Sequence, residues 1–310
     1  MAEITAKAVA ELRAKTGCGM MDCKKALKEA NGDFDEAIKV LRERGLAVAA
    51  KKADRIAAEG IVDIMKSDDG KTAAIIEVNA ETDFVAKNAS FQEFVKGILR
   101  TILAARPANL AELNAAKFDG GELTVEAALK DKIFTIGENM NIRRFDIVDG
   151  VMSTYIHGKG VTGVIVAFDA DDAAANNEGF PEYAKNIALQ VAAMPCTYLN
   201  KEAVPQAAID EEKEILVTQI KNDASNAKKP DAIIEKMVTG RLGKFYEANC
   251  LTEQQYVKDD SLTIQKYTDA TAKQFGGKIA LKGFIRYEKG EGIAKREDNF
   301  AEEIANMVKQ

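Results

Sequence analysis

Side chains able to do covalent chemistry are few and scattered in this chain of 310 residues. His157 is the only histidine, and the four cysteines are Cys18, Cys23, Cys196 and Cys250. A zinc site needs clustered Cys or His ligands, and Cys18 and Cys23 enclose four residues where a redox pair encloses two. Reduced, packed cysteines are the better reading. A single histidine also removes most nucleophile–base pairings used in hydrolysis. The chain therefore reads as a non-enzyme with no metal or cofactor of its own. Gly158-Lys159-Gly160-Val161-Thr162-Gly163 matches the dinucleotide fingerprint in letters. That fingerprint works only between a strand and the start of a helix, where pyrophosphate meets the helix N-terminus. Here the glycines lie between two strand-like runs, residues 151–156 and 164–168, so they read as a hairpin turn. His157, at its start, reads by itself as a solvated loop residue. Arg143-Arg144 offers phosphate binding, but the surrounding pattern reads as a strand carrying solvated charges.

A different chemistry, recognition by a wedge, is offered by Thr82-Asp83-Phe84-Val85-Ala86-Lys87-Asn88-Ala89. These residues follow a strand over 73–79 and precede an amphipathic helix carrying Phe91, Phe94, Val95 and Ile98. A large aromatic beside a carboxylate is a poor core element at a strand end. It either tucks under its own helix or enters another protein. A second copy of the module bears on the choice. Thr162 to Ala170 reads against Thr72 to Ala80 at an offset of 90, and Phe180-Pro181-Glu182-Tyr183 reads against Phe91-Gln92-Glu93-Phe94 at 89. Strand, loop and helix are shared, but the second loop carries Ala173-Ala174-Ala175 where the first has Asp83-Phe84-Val85. An aromatic needed to seat the helix would be needed twice, so the wedge reading is favoured.

The elements positioning these residues predict an α+β chain of two or more domains. Residues 1–54 read as three short helices, with Thr5 and Asp33 as caps, Gly17 and Asn31-Gly32 as stops, and Gly45 closing the third. Met20-Met21, in the turn after the first helix, are either core gap-fillers or an adaptable contact surface, the core reading being favoured by itself. A basic, Ala-rich helical linker follows. Two related α+β halves come next, 55–145 and 146–198 with 259–289. An antiparallel helical hairpin of coiled-coil type interrupts the second at 199–258. A C-terminal helical module, 290–310, carries Phe300, Ile304, Met307 and Val308 on one side of a helix. Charged residues make up 30%, hydrophobic residues 46%, and the net charge of −6 argues against a broad nucleic-acid surface. No run is apolar enough to span a bilayer and no leader is evident; the expected location is the cytoplasm.

Taken in order, Leu12-Arg13, Thr16-Gly17-Cys18-Gly19-Met20-Met21-Asp22-Cys23-Lys24-Lys25-Ala26-Leu27, Thr82-Asp83-Phe84-Val85-Ala86-Lys87, Ile136-Gly137-Glu138-Asn139 and Gly283-Phe284-Ile285-Arg286-Tyr287 closely resemble the bacterial elongation factor Ts family, guanine-nucleotide exchange factors of elongation factor Tu. The resemblance runs from Met1 to the end. It implies a ubiquitin-associated-like N-terminal domain, a core of two related halves, a helical hairpin and a C-terminal helical module. It implies that Thr82, Asp83, Phe84 and Val85 dislodge Mg²⁺ from the partner, with Phe84 inserting near the nucleotide site and His157 assisting from the other half. Arg13, Met20 and Met21 would contact the partner's nucleotide-binding domain, reversing the core reading of the two methionines. The implied partner is elongation factor Tu, GDP-bound and nucleotide-free, with no direct nucleic acid and no membrane; a homo-oligomer or heterotetramer is left open. Residues 106–130 and 169–179 look expanded, so contacts there are not carried over. Two alternatives remain: a ubiquitin-associated-like adaptor without exchange activity, which leaves residues 60–310 unexplained, and a nucleotide-dependent enzyme resting on the glycine match.

Overall fold

The computed structural model describes residues 4–223, 225 and 229–294. Three helices lead: α1 (Ala6–Thr16), α2 (Met20–Glu29) and α3 (Phe34–Lys52). Next come β1 (Glu59–Lys66), β2 (Thr72–Ala80), α4 (Asp83–Ala86), α5 (Ala89–Ala105), α6 (Leu110–Ala115), α7 (Val125–Ile136) and β3 (Met140–Asp149). The second series is β4 (Val151–His157), β5 (Thr162–Ala170), α8 (Asp172–Ala175), α9 (Phe180–Ala193), α10 (Gln206–Asn222), α11 (Asp231–Asn249), β6 (Gln255–Tyr256), β7 (Asp259–Thr263), α12 (Ile264–Phe275) and β8 (Ile279–Glu288). The fold is α+β, with every paired strand of the named sheets antiparallel.

The local signals act as the sequence predicts at the helix starts. The Thr5 hydroxyl accepts from Ala8 N and the Asp33 carboxylate from Glu36 N, filling donors that each helix leaves open. Gly17 closes α1 in the left-handed region at φ 68°. Two expectations change. Gly45 does not close α3, which runs on to Lys52. Interior glycine costs a helix roughly 1 kcal/mol, and here Gly45 packs against Phe134 of α7, whose Cβ an added methyl would meet at an ordinary 3.5 Å. The Ala-rich residues after it sustain the helix. The linker is therefore helical only to Lys52, and β1 begins at Glu59. In addition, α2 begins at Met20, placing Met20 and Met21 in its first turn.

The core is built twice. β2 lies between β1 and β3, β5 lies between β4 and β8, and a bulge falls at Glu77/Val78 in one sheet and Ala167/Phe168 in the other, 90 positions apart. β2 is apolar almost throughout because both its faces are covered. Ala74, Ile76 and Val78 face the α5 side with Phe91, Phe94, Val95 and Ile98. Ala73 and Ile75 meet Met152, Ile165 and Tyr287 of the second sheet. Helix α9 covers the far face of that sheet through Tyr183, Ile187 and Val191. The layers run helix, sheet, sheet, helix. Helices α10 and α11 pair through Leu216, Ile220, Ile234, Val238 and Leu242. The anticipated C-terminal helix with Phe300, Ile304, Met307 and Val308 lies outside the described residues.

Candidate functional site

The segment read as a loop after β2 is a single helical turn, α4. Its inner side chains, Val85 and Ala86, are buried in the first core. Phe84 points the other way and is 80% exposed. Asp83 pairs with Lys87 at 2.5 Å, and the Lys87 ammonium lies 5.9 Å from the Phe84 ring centroid. The hydrogen bond from Lys87 holds the Asp83 carboxyl below its ordinary range. The sister half has the same turn, α8, with Ala174 buried where Val85 is and Ala173 exposed where Phe84 is. The residue lost between the copies thus falls before the turn, so Asp83 stands opposite Asp172. The counterpart of the exposed phenyl is a methyl.

His157 ends β4, exposed, with its Nδ1 3.0 Å from the Tyr155 hydroxyl. The following hairpin is fixed to the first sheet, because Val62 N donates to Gly160 O at 2.8 Å. A cleft of about 400 Å³ separates α4 from this hairpin, lined by Asp83, Lys87, Gln92, Lys289 and residues 158–161. The fold therefore brings the Asp83–Lys87 turn and the hairpin after His157 to one rim. Arg13, Met20 and Met21 belong to the three-helix unit and do not line that cleft. Met20 and Met21 are 55% and 62% exposed, which overturns their reading as core gap-fillers; Cys23, Ala26 and Leu27 fill that core instead.

Arg143 and Arg144 are not the solvated charges expected. Both reach Glu77, a fully buried carboxylate of β2, at 3.0 and 2.7 Å. Asn79 Nδ2 and Gly290 N also donate to it, and the Arg144 guanidinium lies 4.1 Å from the Tyr287 ring centroid. This cluster joins the first sheet to the end of β8. The signal for it was the one charged residue of a mostly apolar strand, which demands compensating partners when buried. Burial pushes the Glu77 pKa up, but the bonds from Gly290, Asn79, Arg143 and Arg144 outweigh it and leave the group below its ordinary 4.5. A depressed folded-state pKa gives stability that is present above the unfolded value and lost as pH falls through the folded one. Glu77→Gln is therefore expected to cost about 2 kcal/mol at neutral pH, where hydrogen bonds to a charged group are lost. The gap to the parent should close as pH drops below the ordinary glutamate range. Thermal melts from about pH 7 to pH 3 check this; parallel curves would remove the carboxylate's role.

Glu138 and Asn139 also acquire work that their spacing did not disclose. Glu138 accepts from Thr82 N at 3.0 Å and from the Thr82 hydroxyl at 2.8 Å. Asn139, buried, donates its backbone N–H to Glu81 Oε1 and its side-chain amide to Ala53 O and Arg55 O.

Among the described residues no group of three His, Cys, Asp or Glu side chains is placed to hold a metal ion, and no helix is long and apolar enough to cross a membrane. All four cysteines are free, with burial pushing the Cys196 thiol up to about 12. Fold and site together define an α+β protein that presents side chains outward from duplicated sheets. The family model for Elongation factor TS matches residues 81–291. Elongation factor Ts of Syntrophotalea carbinolica is 44% identical over 310 residues, covering 99% of this chain and 100% of that protein. Elongation factor Ts of Clostridium kluyveri is 47% identical over 309 residues, covering 98% and 99%. Elongation factor Ts of Symbiobacterium thermophilum is 47% identical over 313 residues, covering 99% of each. The chain belongs to the elongation factor Ts family, translation elongation factors rather than catalytic enzymes.

Proposed function

We propose that this chain is the guanine-nucleotide exchange factor of elongation factor Tu, binding the GDP-loaded partner, displacing its Mg²⁺ and stabilising the empty form. The observation that carries the reading is Phe84, a phenyl 80% exposed on a turn whose other apolar side chains are anchored in the core. Thr82, Asp83 and Val85 shape and anchor that turn, His157 assists from the adjoining hairpin, and Arg13, Met20 and Met21 hold the partner's nucleotide-binding domain.

Magnitudes constrain the mechanism. A nucleotide held at nanomolar affinity is bound by about 12 kcal/mol, whereas burying one Phe side chain is worth roughly 1.5–3 kcal/mol. Phe84 does not expel nucleotide unaided. A wide interface must favour the empty partner, and Phe84 converts part of that energy into distortion beside the metal. By linkage, the factor weakens nucleotide binding as much as nucleotide weakens binding of the factor. The ternary complex is transient and needs no covalent step. Nucleotide-free elongation factor Tu is expected to stay on the immobilised chain and to elute when guanosine diphosphate is added. Retention indifferent to nucleotide would sink the proposal.

A further inference from the structure

We infer that Glu138 is a positioning residue for Phe84: its carboxylate, gripping Thr82 at both the backbone N–H and the hydroxyl, sets the direction in which the α4 turn projects its phenyl ring. This rests on the exchange reading above and adds to it the device that aims the wedge. A helix of four residues has no stability of its own, since nucleation consumes more order than one turn repays. Something outside it must orient it. Threonine at a helix N-cap ordinarily accepts from the first turn, yet Thr82 makes no such bond and spends its hydroxyl on Glu138.

The sister turn makes the contrast. There Asp171 caps α8 locally, accepting from Ala174 N at 3.0 Å and also from Lys278 N at 2.9 Å, and the exposed position is Ala173. Of these two duplicated turns, the one carrying an exposed aromatic has exchanged a local cap for a carboxylate 56 residues away.

That carboxylate is itself well placed. Gly137 ends α7 at φ 88°, a left-handed conformation that side chains disfavour, and the reversal delivers Glu138 to Thr82 and Asn139 to Glu81. The Lys52 ammonium donates to Gly137 O, and the Asn139 amide donates to Ala53 O and Arg55 O. One short segment thus clasps both the Phe84 turn and the end of α3, which leads in from the three-helix unit.

The test exploits the absence of tryptophan from the chain. Phe84→Trp supplies a single indole whose anisotropy reports the turn in the free chain. Adding Glu138→Ala is expected to lower that anisotropy, and Glu138→Gln to restore most of it, because its amide oxygen accepts the Thr82 N–H while its NH₂ donates to the hydroxyl. In exchange assays with Phe84 retained, Glu138→Ala should slow saturated nucleotide release by up to roughly tenfold, the lower bound for losing the Phe84 contact altogether, and shift the half-saturating concentration much less. A merely structural role would not split the two, nor be rescued by the amide. Parental anisotropy and parental saturated release in Glu138→Ala would overturn the inference. If Phe84→Ala releases nucleotide at the parental rate, the exchange reading fails, while anisotropy still decides whether Glu138 orients the turn. Should Glu138→Ala not fold, Thr82→Val removes the hydroxyl bond alone; partial losses in both readouts support the inference and parental values overturn it.

Discussion

Phe91→Ala is expected to destabilise the protein by roughly 3–5 kcal/mol, the range for truncating a buried phenylalanine. The ring is fully buried at the start of α5, in one cluster with Phe94, Val95, Ile98, Ile76 and Val78. The cavity has little room to collapse. Asn88 accepts from Ser90 N and Phe91 N and pins the helix start, while the opposite wall is the central strand of a sheet covered on both faces. The duplicate supports the same view, because its matching Phe180 is also buried, edge-on to Phe168 with centroids 5.5 Å apart. Urea denaturation should show a lower midpoint with an unchanged slope, the mark of lost stability without a changed unfolded state. An unchanged midpoint would mean that this ring does not hold the helix to the sheet.

What was legible in the sequence was what neighbours along the chain determine. β2 and β5 end where the repeated run 72–80 and 162–170 ends, the caps at Thr5 and Asp33 act locally, and the glycine-rich match is a hairpin turn between antiparallel β4 and β5. Phe84 was legible by comparison of two copies, and its exposure agrees with the asymmetry that singled it out. What escaped notice depended on partners far away. Gly45 reads as a stop until α3 is seen to run past it to Lys52, packed against Phe134 of α7. Arg143 and Arg144 read as solvated until Glu77, 66 and 67 positions earlier, is found beneath them. Glu138 stands in the sequence only as part of the Ile136-Gly137-Glu138-Asn139 match, with no partner to read, until the end of α7 brings it onto Thr82. Each is a polar or glycine position whose role follows from a contact that only the assembled fold creates, and hydrophobic periodicity carries no record of such contacts.

Phe84→Ala is expected to separate function from stability. In the free chain the phenyl is 80% exposed, and the Lys87 ammonium beside its ring is itself exposed and paired with Asp83. Surface substitutions of this kind change stability by about 0.5 kcal/mol or less, so the melting curve should match the parent. On the partner the same ring would be buried, worth roughly 1.5–3 kcal/mol, which corresponds to a slowing of release by about 10- to 100-fold if the energy is realised as nucleotide leaves. The sister turn supplies the control. Ala173 occupies the matching exposed position with Ala174 buried beneath it, so nature has already built this turn without an aromatic and it folds. Stopped-flow dissociation of a fluorescent guanine nucleotide from elongation factor Tu measures the effect directly. Unchanged release with Phe84→Ala would remove the wedge. A large loss of thermal stability would show instead that the ring supports its own core, the reading that its exposure now opposes.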